Sequence, residues 1–308
     1  MFRILPINDR TAYERPADPD GGGLVAESPV TMISIPRQQR QTPARWYTDP
    51  RRWTVVAGEI GLTVAILSVY FLLRGMRPDD IEGSVSRSLY IIRFEQRLGI
   101  FQEAMWQHAF LDYSVLVTVA NAIYAWGHYP VLVAIGLWLV VKDPGQFRFV
   151  RNVMLVSAVI GIVSYWLLPA APPRLMELHG YDFGFVDTVH GATSNVVYPQ
   201  PTPFVNDYAA VPSYHFGWIA LASAAIWVNT RNRWIRGGAV LMSVVMWWAV
   251  TVTGNHFFFD MFFGGIVIAL SWLLVAWLSR EDVREQFRRV TAPAVAPLAA
   301  LVRRQRDG

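Results

Sequence analysis

Cysteine is absent from the 308-residue chain, and charged residues make up only 16% of it. The lack of cysteine excludes disulfides and thiolate chemistry, but it does not exclude an extracytoplasmic site. A soluble domain usually carries about a quarter charged residues. Here the charge is depleted in long apolar blocks and concentrated between them, which indicates a polytopic membrane protein.

Lysine is nearly absent as well, because Lys142 is the only one in the chain. Lysine codons are rich in A and T, so this bias predicts a bacterial protein from a high-GC genome and says nothing about function. No P-loop and no dinucleotide-binding glycine fingerprint occurs in a strand–helix context. No nucleic-acid partner is predicted.

Six apolar blocks approach or exceed the roughly 20 residues that a membrane-crossing helix needs. They are 53–73, 111–141, 149–168, 214–229, 235–253 and 256–279. The predicted fold is therefore all-α, a polytopic membrane protein with six transmembrane helices. The second block is too long for one straight span, and Pro130 predicts a kink or break near its middle. A hairpin of two half-length segments is the competing interpretation.

The basic residues predict the orientation of these spans, because cytoplasmic loops carry an excess of them. Arg51 precedes the first block, Lys142 follows the second, and Arg231 follows the fourth. With six spans these residues and the arginines after Arg280 fall on one side, and the connection 169–213 falls on the other. The sequence thus predicts a plasma-membrane protein with both termini in the cytoplasm. The hairpin would put Lys142 outside.

Both ends of the chain lie outside the apolar blocks. Residues 1–50 carry no apolar period and predict a disordered cytoplasmic tail, and residues 281–308 predict a basic cytoplasmic tail. Residues 51–280 form the predicted six-helix membrane catalytic domain. Within it, the segment 87–110 mixes apolar and charged residues at helical spacing and predicts an interfacial amphipathic helix. A soluble loop helix fits this pattern equally well.

The first group of candidate catalytic residues, Val211-Pro212-Ser213-Tyr214-His215, lies at the start of the fourth block. Ser213 is a favourable N-cap, and His215 lies in the first turn of the helix that follows. The N-terminus of a helix attracts anions. The pattern predicts an anion site that contains His215, and the alternative is an ordinary cap with an interfacial histidine.

The second group lies at the start of the sixth block and contains His256 and Asp260. Residues four apart share one face of a helix, where an aspartate orients an imidazole and stabilises its charged form. The flanks are apolar, so an unpaired Asp260 would cost on the order of several kcal/mol. The pattern predicts a catalytic pair, and a structural pair that tethers helices is the alternative.

Both groups lie on the outer side of the six-span arrangement, as does Arg174 after the third block. One imidazole can attack phosphorus while the other protonates the leaving alkoxide, and an arginine can bind the phosphate oxygens. The alternative for Arg174 is an interfacial side chain. A zinc site of His215, His256 and Asp260 is a rival, but the sequence fixes no further ligand nearby. No metal and no cofactor are predicted.

The order and spacing of these motifs resemble the type 2 phosphatidic acid phosphatase superfamily, and within it the inositol phosphorylceramide synthases. The resemblance covers residues 50–280. The motifs that carry it are Pro172-Pro173-Arg174, Ala210-Val211-Pro212-Ser213-Tyr214-His215, Gly254-Asn255-His256 with Asp260 and Gly264, Glu95 with Leu98-Gly99-Ile100-Phe101 and Glu103, Tyr124 to Pro130, and Gly184-Phe185-Val186-Asp187-Thr188.

The resemblance implies a six-helix core with an outward-facing, metal-independent active site. It implies that His256 is the nucleophile that becomes a phosphohistidine and that Asp260 orients it. His215 would first protonate the leaving group and then activate the acceptor. The residues implied in binding the phosphate are Arg174, Ser213, Tyr214 and Asn255.

The chain departs from the phosphatase members of that superfamily. Ala249 and Val250 stand where those members carry a Ser-Arg pair, and Tyr214 replaces a glycine. Fewer cations suit a phosphodiester better than a doubly charged monoester. The implied activity is therefore transfer of a phosphorylated head group, such as phosphoinositol, from a phospholipid donor to a lipid alcohol acceptor. The alternatives are a lipid-phosphate or polyprenyl-diphosphate phosphatase and, more distantly, a lipid transporter or scaffold.

Overall fold

A computed structural model of the protein describes residues 47–77, 80–190 and 206–280. This described part is all-α, with nine α-helices and no strand. The helices are α1 Arg52–Gly75, α2 Ile81–Leu98, α3 Glu103–Leu111, α4 Ser114–Ala122, α5 His128–Lys142, α6 Pro144–Leu167, α7 Tyr214–Asn229, α8 Arg233–Val252 and α9 Phe258–Leu278. Nearly all of the two predicted tails, 1–50 and 281–308, lies outside the described residues.

Five helical stretches in the described part of the chain are long and apolar enough to cross a membrane. They are Arg52–Gly75, Ser114–Lys142, Pro144–Leu167, Arg233–Val252 and Phe258–Leu278. The prediction of an all-α polytopic membrane protein is thereby confirmed. The helix at the predicted fourth span, α7, has 16 residues, and a helix of that length is about 24 Å long, against a hydrocarbon core of about 30 Å. The count of six spans stays a prediction.

The second apolar block is one continuous helical stretch, Ser114–Lys142, rather than a hairpin. Its irregular part is a π-helical turn at Ile123–Gly127, just before Pro130. A proline lacks the N–H that would bond to the carbonyl of the residue four positions earlier, and its ring clashes with that carbonyl, so a wider turn relieves the helix there. The predicted distortion therefore falls at 123–127, one turn before the proline.

Helix boundaries depart from the apolar blocks where a capping residue extends the helix. The third block was expected to begin at residue 149, whereas α6 begins at Pro144. Asp143 caps it by accepting the N–H groups of Gly145 at 2.9 Å and Gln146 at 3.1 Å. A carboxylate at the N-cap and a proline at the first position favour a helix start, although neither is apolar span sequence.

The segment 87–110 was predicted to form one amphipathic helix. This is wrong, because the segment forms two helices, α2 and α3. Gly99 ends α2 with φ 69°, a left-handed conformation in which glycine carries no steric cost. One face of α2 packs against the bundle and buries Ile92. Glu95 and Glu103 are also fully buried, which a helix lying on the interface would not require.

Hydrogen bonds between connections show which helix ends lie together. At one end, the amide of Asn206, before α7, donates to the Arg74 carbonyl near the end of α1 at 3.1 Å. The backbone N–H of Arg174, after α6, donates to the backbone carbonyl of Gly254, between α8 and α9, at 2.8 Å. The ends of α1, α6 and α8 therefore meet the beginnings of α7 and α9, and this is the end that contains the candidate site.

The opposite end contains the connections from α5 to α6 and from α7 to α8. There the ammonium group of Lys142 donates to the Asn229 carbonyl at 2.9 Å, and the Tyr47 hydroxyl donates to the Lys142 carbonyl at 2.9 Å. The long helices thus alternate in direction along the chain. The assignment of one end to the cytoplasm stays a prediction from the charge pattern.

Candidate functional site

The two predicted catalytic histidines face one another across a cavity at the end of the bundle where α7 and α9 begin. The ring centroids of His215 and His256 are 5.8 Å apart. His256 is 4% exposed, and His215 is half-buried. The predicted site residues that line this cavity are Arg174, Tyr214, His215, Asn255 and His256.

A close crossing of α7 and α9 sets the spacing of the two histidines. A Cβ at Gly264 would lie 2.5 Å from the Ser213 carbonyl oxygen, and a Cβ at Gly217 would lie 3.3 Å from the Gly264 carbonyl oxygen. Only residues without a side chain permit helix backbones to approach this closely. The crossing brings the first turn of α7, with His215, beside the segment that carries His256.

Asp260 contacts His256, as predicted, but the two do not share a helix face, because α9 begins at Phe258 and His256 precedes it. Oδ2 of Asp260 lies 3.4 Å from Nδ1 of His256 and accepts the Phe257 N–H at 2.9 Å. The carboxylate is fully buried. An Nδ1–H that points at a carboxylate leaves the lone pair on Nε2. His256 can therefore present Nε2 to a substrate in the cavity.

His215 is held between two rings of the second apolar block. The Tyr124 ring stacks on it at a centroid distance of 4.3 Å, and the His128 ring meets it edge-on at 4.6 Å. Its Nε2 is buried and has no hydrogen-bond partner among the described residues. Packing against the two rings thus fixes the orientation of the imidazole, and Nε2 is left able to donate or accept a proton.

His128 also lines the cavity, although no role was predicted for it from the sequence. It is buried, and its Nδ1 lies 3.1 Å from the Tyr124 carbonyl. With Nδ1–H donating to that carbonyl, Nε2 is left as an acceptor. The signal that could have identified it is its place beside Pro130, in a polar interruption of an apolar block.

Arg174 is anchored by three acceptors and remains at the cavity wall. Its Nε donates to Asn255 Oδ1 at 2.9 Å, one terminal nitrogen donates to Asp187 at 2.9 Å, and the other donates to Asp207 at 3.3 Å. A guanidinium has five N–H donors, so these three bonds leave two. A planar group fixed in this way is well arranged to bind two phosphate oxygens at once.

The Asp187 carboxyl remains ionised beside Arg174. Burial alone would raise its pKa, but the hydrogen bonds from His190 and the charge of Arg174 outweigh burial and hold the pKa well below its usual range. Asp187 Oδ1 also accepts the N–H groups of Val189 at 3.0 Å and His190 at 2.9 Å. The anchor of Arg174 is therefore charged throughout the neutral range.

Asp207 and Arg74 are further charged groups at the cavity that the sequence analysis did not select. Asp207 lies in the connection before α7 and pairs with Arg174. Arg74 lies in the last turn of α1, with its guanidinium 5.9 Å from the centroid of the Tyr165 ring. Neither belongs to a local motif, so only the fold could reveal them.

Two of the predicted phosphate-binding residues have their polar groups inside the protein. The Tyr214 hydroxyl donates to the Ser157 carbonyl, so only the ring of Tyr214 lines the cavity. Ser213 is not among the cavity-lining residues. Its N–H donates to the Asp260 carbonyl at 3.0 Å, and its buried Oγ has no partner among the described residues. Neither the Tyr214 hydroxyl nor the Ser213 hydroxyl is therefore directed into the cavity.

Asn255 is hydrogen-bonded to Arg174. Its Oδ1 accepts from the Arg174 guanidinium, and its Nδ2 donates to the Thr253 carbonyl at 3.3 Å. Gly254, directly before it, has φ 63°, and a Cβ there would lie 3.1 Å from the amide nitrogen of Gln107. A glycine is needed at such a position because other residues rarely adopt this conformation. The tight turn carries Asn255 to Arg174 and His256 to the cavity.

A zinc site was the rival interpretation of the same residues. Within residues 47–77, 80–190 and 206–280, no group of three or more His, Cys, Asp or Glu side chains is arranged to hold a metal ion. Asp260 contacts His256 through Nδ1 at 3.4 Å, as a carboxylate that orients an imidazole does.

The fold and the cavity define a class, the all-α polytopic membrane proteins with two histidines facing each other at one end of a helix bundle. The family model of the PAP2 superfamily, the type 2 phosphatidic acid phosphatases, matches residues 89–274. The chain belongs to that superfamily, as the motifs predicted, and its members are phosphatases or phosphotransferases. No curated protein and no solved structure matches the chain.

Proposed function

We propose that the protein is a phospholipid head-group phosphotransferase. It would move a phosphorylated head group, such as phosphoinositol, from a phospholipid donor to a lipid alcohol acceptor, as the resemblance to the inositol phosphorylceramide synthases implies. The observation that carries the proposal is the pair of His256 and His215 across one cavity, with Asp260 behind the first and Arg174 on the same wall.

In the first half of the reaction, Nε2 of His256 attacks the phosphorus of the donor phosphodiester. The new P–N bond forms while the P–O bond to the diacylglycerol breaks, and a proton from His215 goes to the leaving alkoxide. The head group then remains on His256 as a phosphohistidine. Asp260 stabilises the positive charge that develops on the His256 ring.

In the second half, the hydroxyl of the lipid alcohol takes the place of the leaving group. Its proton passes to His215, now neutral, while its oxygen attacks phosphorus and the P–N bond breaks. His256 and the proton on His215 are restored, so the cycle closes without a cofactor. Charge that develops on the phosphate oxygens meets the two remaining N–H donors of Arg174, which are already oriented for it.

The charge around the cavity supports a phosphodiester donor. Two carboxylates, Asp187 and Asp207, offset the charge of Arg174. Ala249 and Val250, at the positions of the Ser-Arg pair of phosphatases, are fully buried and apolar. A phosphodiester carries one negative charge, so it needs less positive charge in its site than a monoester does.

Arg74 favours the alternative function. It adds a second arginine to the cavity lining, which would suit the additional charge of a lipid phosphate or a polyprenyl diphosphate. With water as the acceptor, the same two half-reactions would make the protein a phosphatase. The two functions share the phosphohistidine and differ in which hydroxyl attacks it.

We further propose that the site lies on the extracytoplasmic side of the plasma membrane. Arg51, Lys142 and Arg231 belong to the opposite end of the bundle from the histidines. Basic residues prefer the cytoplasmic side, so this separation supports the predicted orientation, with donor and acceptor lipids drawn from the outer leaflet.

The test uses the purified protein in liposomes. One arm contains phosphatidylinositol labelled at phosphorus together with a panel of lipid alcohols, and the other contains a labelled lipid phosphate; His256→Ala is the control in both. Label that moves to a new lipid would establish the transferase and identify its acceptor. Label released as inorganic phosphate from the lipid phosphate alone would establish the phosphatase and contradict the proposal.

A further inference from the structure

Carboxyl groups bind all three of the N–H groups that directly follow His256. The N–H groups of residues 257–259 donate in turn to Asp260 at 2.9 Å, to Glu103 at 2.7 Å and to Glu95 at 2.7 Å. Both glutamates are fully buried. The beginning of α9 is therefore capped from two elements, α2 and α3, that precede it by more than 150 positions in the chain.

These contacts have a physical reason and a consequence for the site. The first N–H groups of a helix have no partner within the helix and carry partial positive charge, so buried carboxyl groups satisfy them and gain from the helix dipole. Once occupied, the beginning of α9 no longer offers these N–H groups to a phosphate. Its capping groups instead fix the backbone on which His256 stands.

The two glutamates are also neighbours, because they cap the adjacent N–H groups of residues 258 and 259. Oε2 of Glu103 accepts the Gln102 N–H at 3.0 Å. Oε2 of Glu95 is buried and has no donor from the described residues. A proton held between the two carboxyls would give that oxygen its hydrogen bond.

The surroundings of Glu95 favour that proton. Burial and then the neighbouring Glu103 raise the pKa of Glu95 to about 9. The charged groups that act on it are Glu103 from α3 and Asp260 from α9, and both are acidic. Three ionised carboxylates so close together in a buried place would repel one another, and one bound proton relieves this.

We propose that Glu95 and Glu103 are positioning residues for His256, a carboxyl pair that shares one proton, caps α9 and holds the imidazole at its distance from His215. The proposal rests on the proposed role of His256 as nucleophile, whereas the capping itself does not. The helices α2 and α3 are not among the five stretches able to span a membrane. Under this proposal they nevertheless position a reacting group.

The test compares Glu95→Gln with Glu95→Ala. Glutamine mimics the protonated glutamate, because its carbonyl can accept the N–H of residue 259 and its amide can donate to Glu103. We expect Glu95→Gln to stay within about threefold of the wild-type kcat, and Glu95→Ala to lose at least about tenfold in kcat with little change in KM, since small displacements of a reacting group are costly. Glu82→Gln, an exposed position on α2, is the matched control and should behave as wild type.

The pH profile separates positioning from general support of the fold. Wild-type turnover should fall above about pH 9 as the shared proton is lost, and Glu95→Gln, which cannot lose it, should keep its turnover there. Equal losses in Glu95→Gln and Glu95→Ala with unchanged profiles would overturn the proposal. So would wild-type kcat in Glu95→Ala.

A second readout needs no substrate, namely the unfolding temperature in nanodiscs between pH 6 and pH 9. Between pH 6 and pH 9 the folded state holds a proton that the unfolded chain does not hold. Wild-type stability should therefore fall as pH rises, and Glu95→Gln should remove that slope. If the slopes behave so but no lipid is turned over, the capping pair stands and the proposed function fails. If lipid is turned over and the slopes are equal, the shared proton is refuted.

Discussion

At the scale of single residues, the form of Arg174 matters as much as its charge. Three of its N–H donors are engaged by Asn255, Asp187 and Asp207, so the two that remain have a fixed direction before a phosphate arrives. A lysine would bring the same charge as a point on a flexible stem and could not satisfy the three acceptors. The residue therefore connects the polar network behind the cavity to the cavity wall.

The expected consequence is that Arg174→Lys loses about 100-fold in kcat/KM, which is the size of effect seen when one oriented donor to a transition-state oxyanion is removed. Turnover of labelled phospholipid by protein in liposomes measures it. Arg97→Lys, the same substitution at an exposed position on α2, should leave turnover unchanged. Wild-type kcat/KM in Arg174→Lys would show that charge alone is sufficient.

His128 raises the question of whether its nitrogen or its ring supports His215. His128→Phe keeps an aromatic ring beside His215 but removes Nε2, and His128→Ala removes both. We expect both variants to lose about tenfold in kcat and to change the acid side of the pH profile, because a nearby imidazole nitrogen can exchange protons with the general acid. Wild-type turnover in His128→Phe together with a loss in His128→Ala would reduce the role to packing.

The residues that the sequence identified are those whose relations are local. His256 lies two residues before the start of α9 and Asp260 in its first turn, so a spacing of four residues was enough to bring them together. Arg74 and Asp207 reach the cavity from separate parts of the chain, and no spacing relates them to the motifs, whereas His128 lies within the motif Tyr124 to Pro130. Sequence patterns thus predicted the two histidines that face each other, while the charges that surround them require the fold.

At the scale of elements, the crossing of α7 and α9 determines how far apart the histidines are. Gly264→Ala would place a Cβ 2.5 Å from the Ser213 carbonyl oxygen, so the helices must separate. Gly265→Ala would meet only Phe216, at 3.8 Å, an ordinary contact. The pair isolates helix spacing from the effect of adding a methyl group to α9.

We therefore expect Gly264→Ala to lower kcat by at least about tenfold, since sub-ångström errors between reacting groups are costly, and to lower the unfolding temperature. Gly265→Ala should match the wild type in both. Both variants are measured for lipid turnover and for thermal unfolding in nanodiscs. Wild-type kcat in Gly264→Ala would mean that the site tolerates a wider crossing.

The segment 87–110 shows why element boundaries and burial were harder to predict than helix content. Its helical period is visible in the sequence, but glutamates in such a pattern indicate a solvated face unless their partners are known. The partners of Glu95 and Glu103 are N–H groups at the start of α9, 164 and 155 positions away. Glu95 and Glu103, which the sequence pattern places at the membrane interface, are therefore part of the core.

At the scale of the whole molecule, the alternation of helix directions divides the protein into two ends of different chemistry. One end contains His215, His256, Arg174 and residues 169–190 and 206–213 of the connection between α6 and α7. The other contains Lys142 and the connection after α7. Because neither end can change side once the helices are inserted, the orientation decides which leaflet supplies the lipids.

The orientation depends on the number of spans, and that number depends on whether the short helix α7 crosses the membrane. Its 16 residues would cover about 24 Å of a core of about 30 Å, so α7 crosses only if its neighbours shield its ends. It packs against α5, α8 and α9, and seven of its residues are buried. A helix enclosed by others need not match the bilayer thickness itself, which favours six crossings.

Because the chain has no cysteine, single introduced cysteines can show whether α7 crosses the membrane and on which side the site lies. Glu177→Cys and Arg231→Cys are exposed positions on either side of α7. We expect a membrane-impermeant thiol reagent to label Glu177→Cys in intact cells and to label Arg231→Cys only after lysis, because basic loops stay in the cytoplasm. The reverse pattern would place the site in the cytoplasm. Labelling of both, or of neither, in intact cells would mean that α7 does not cross and that the protein has five spans.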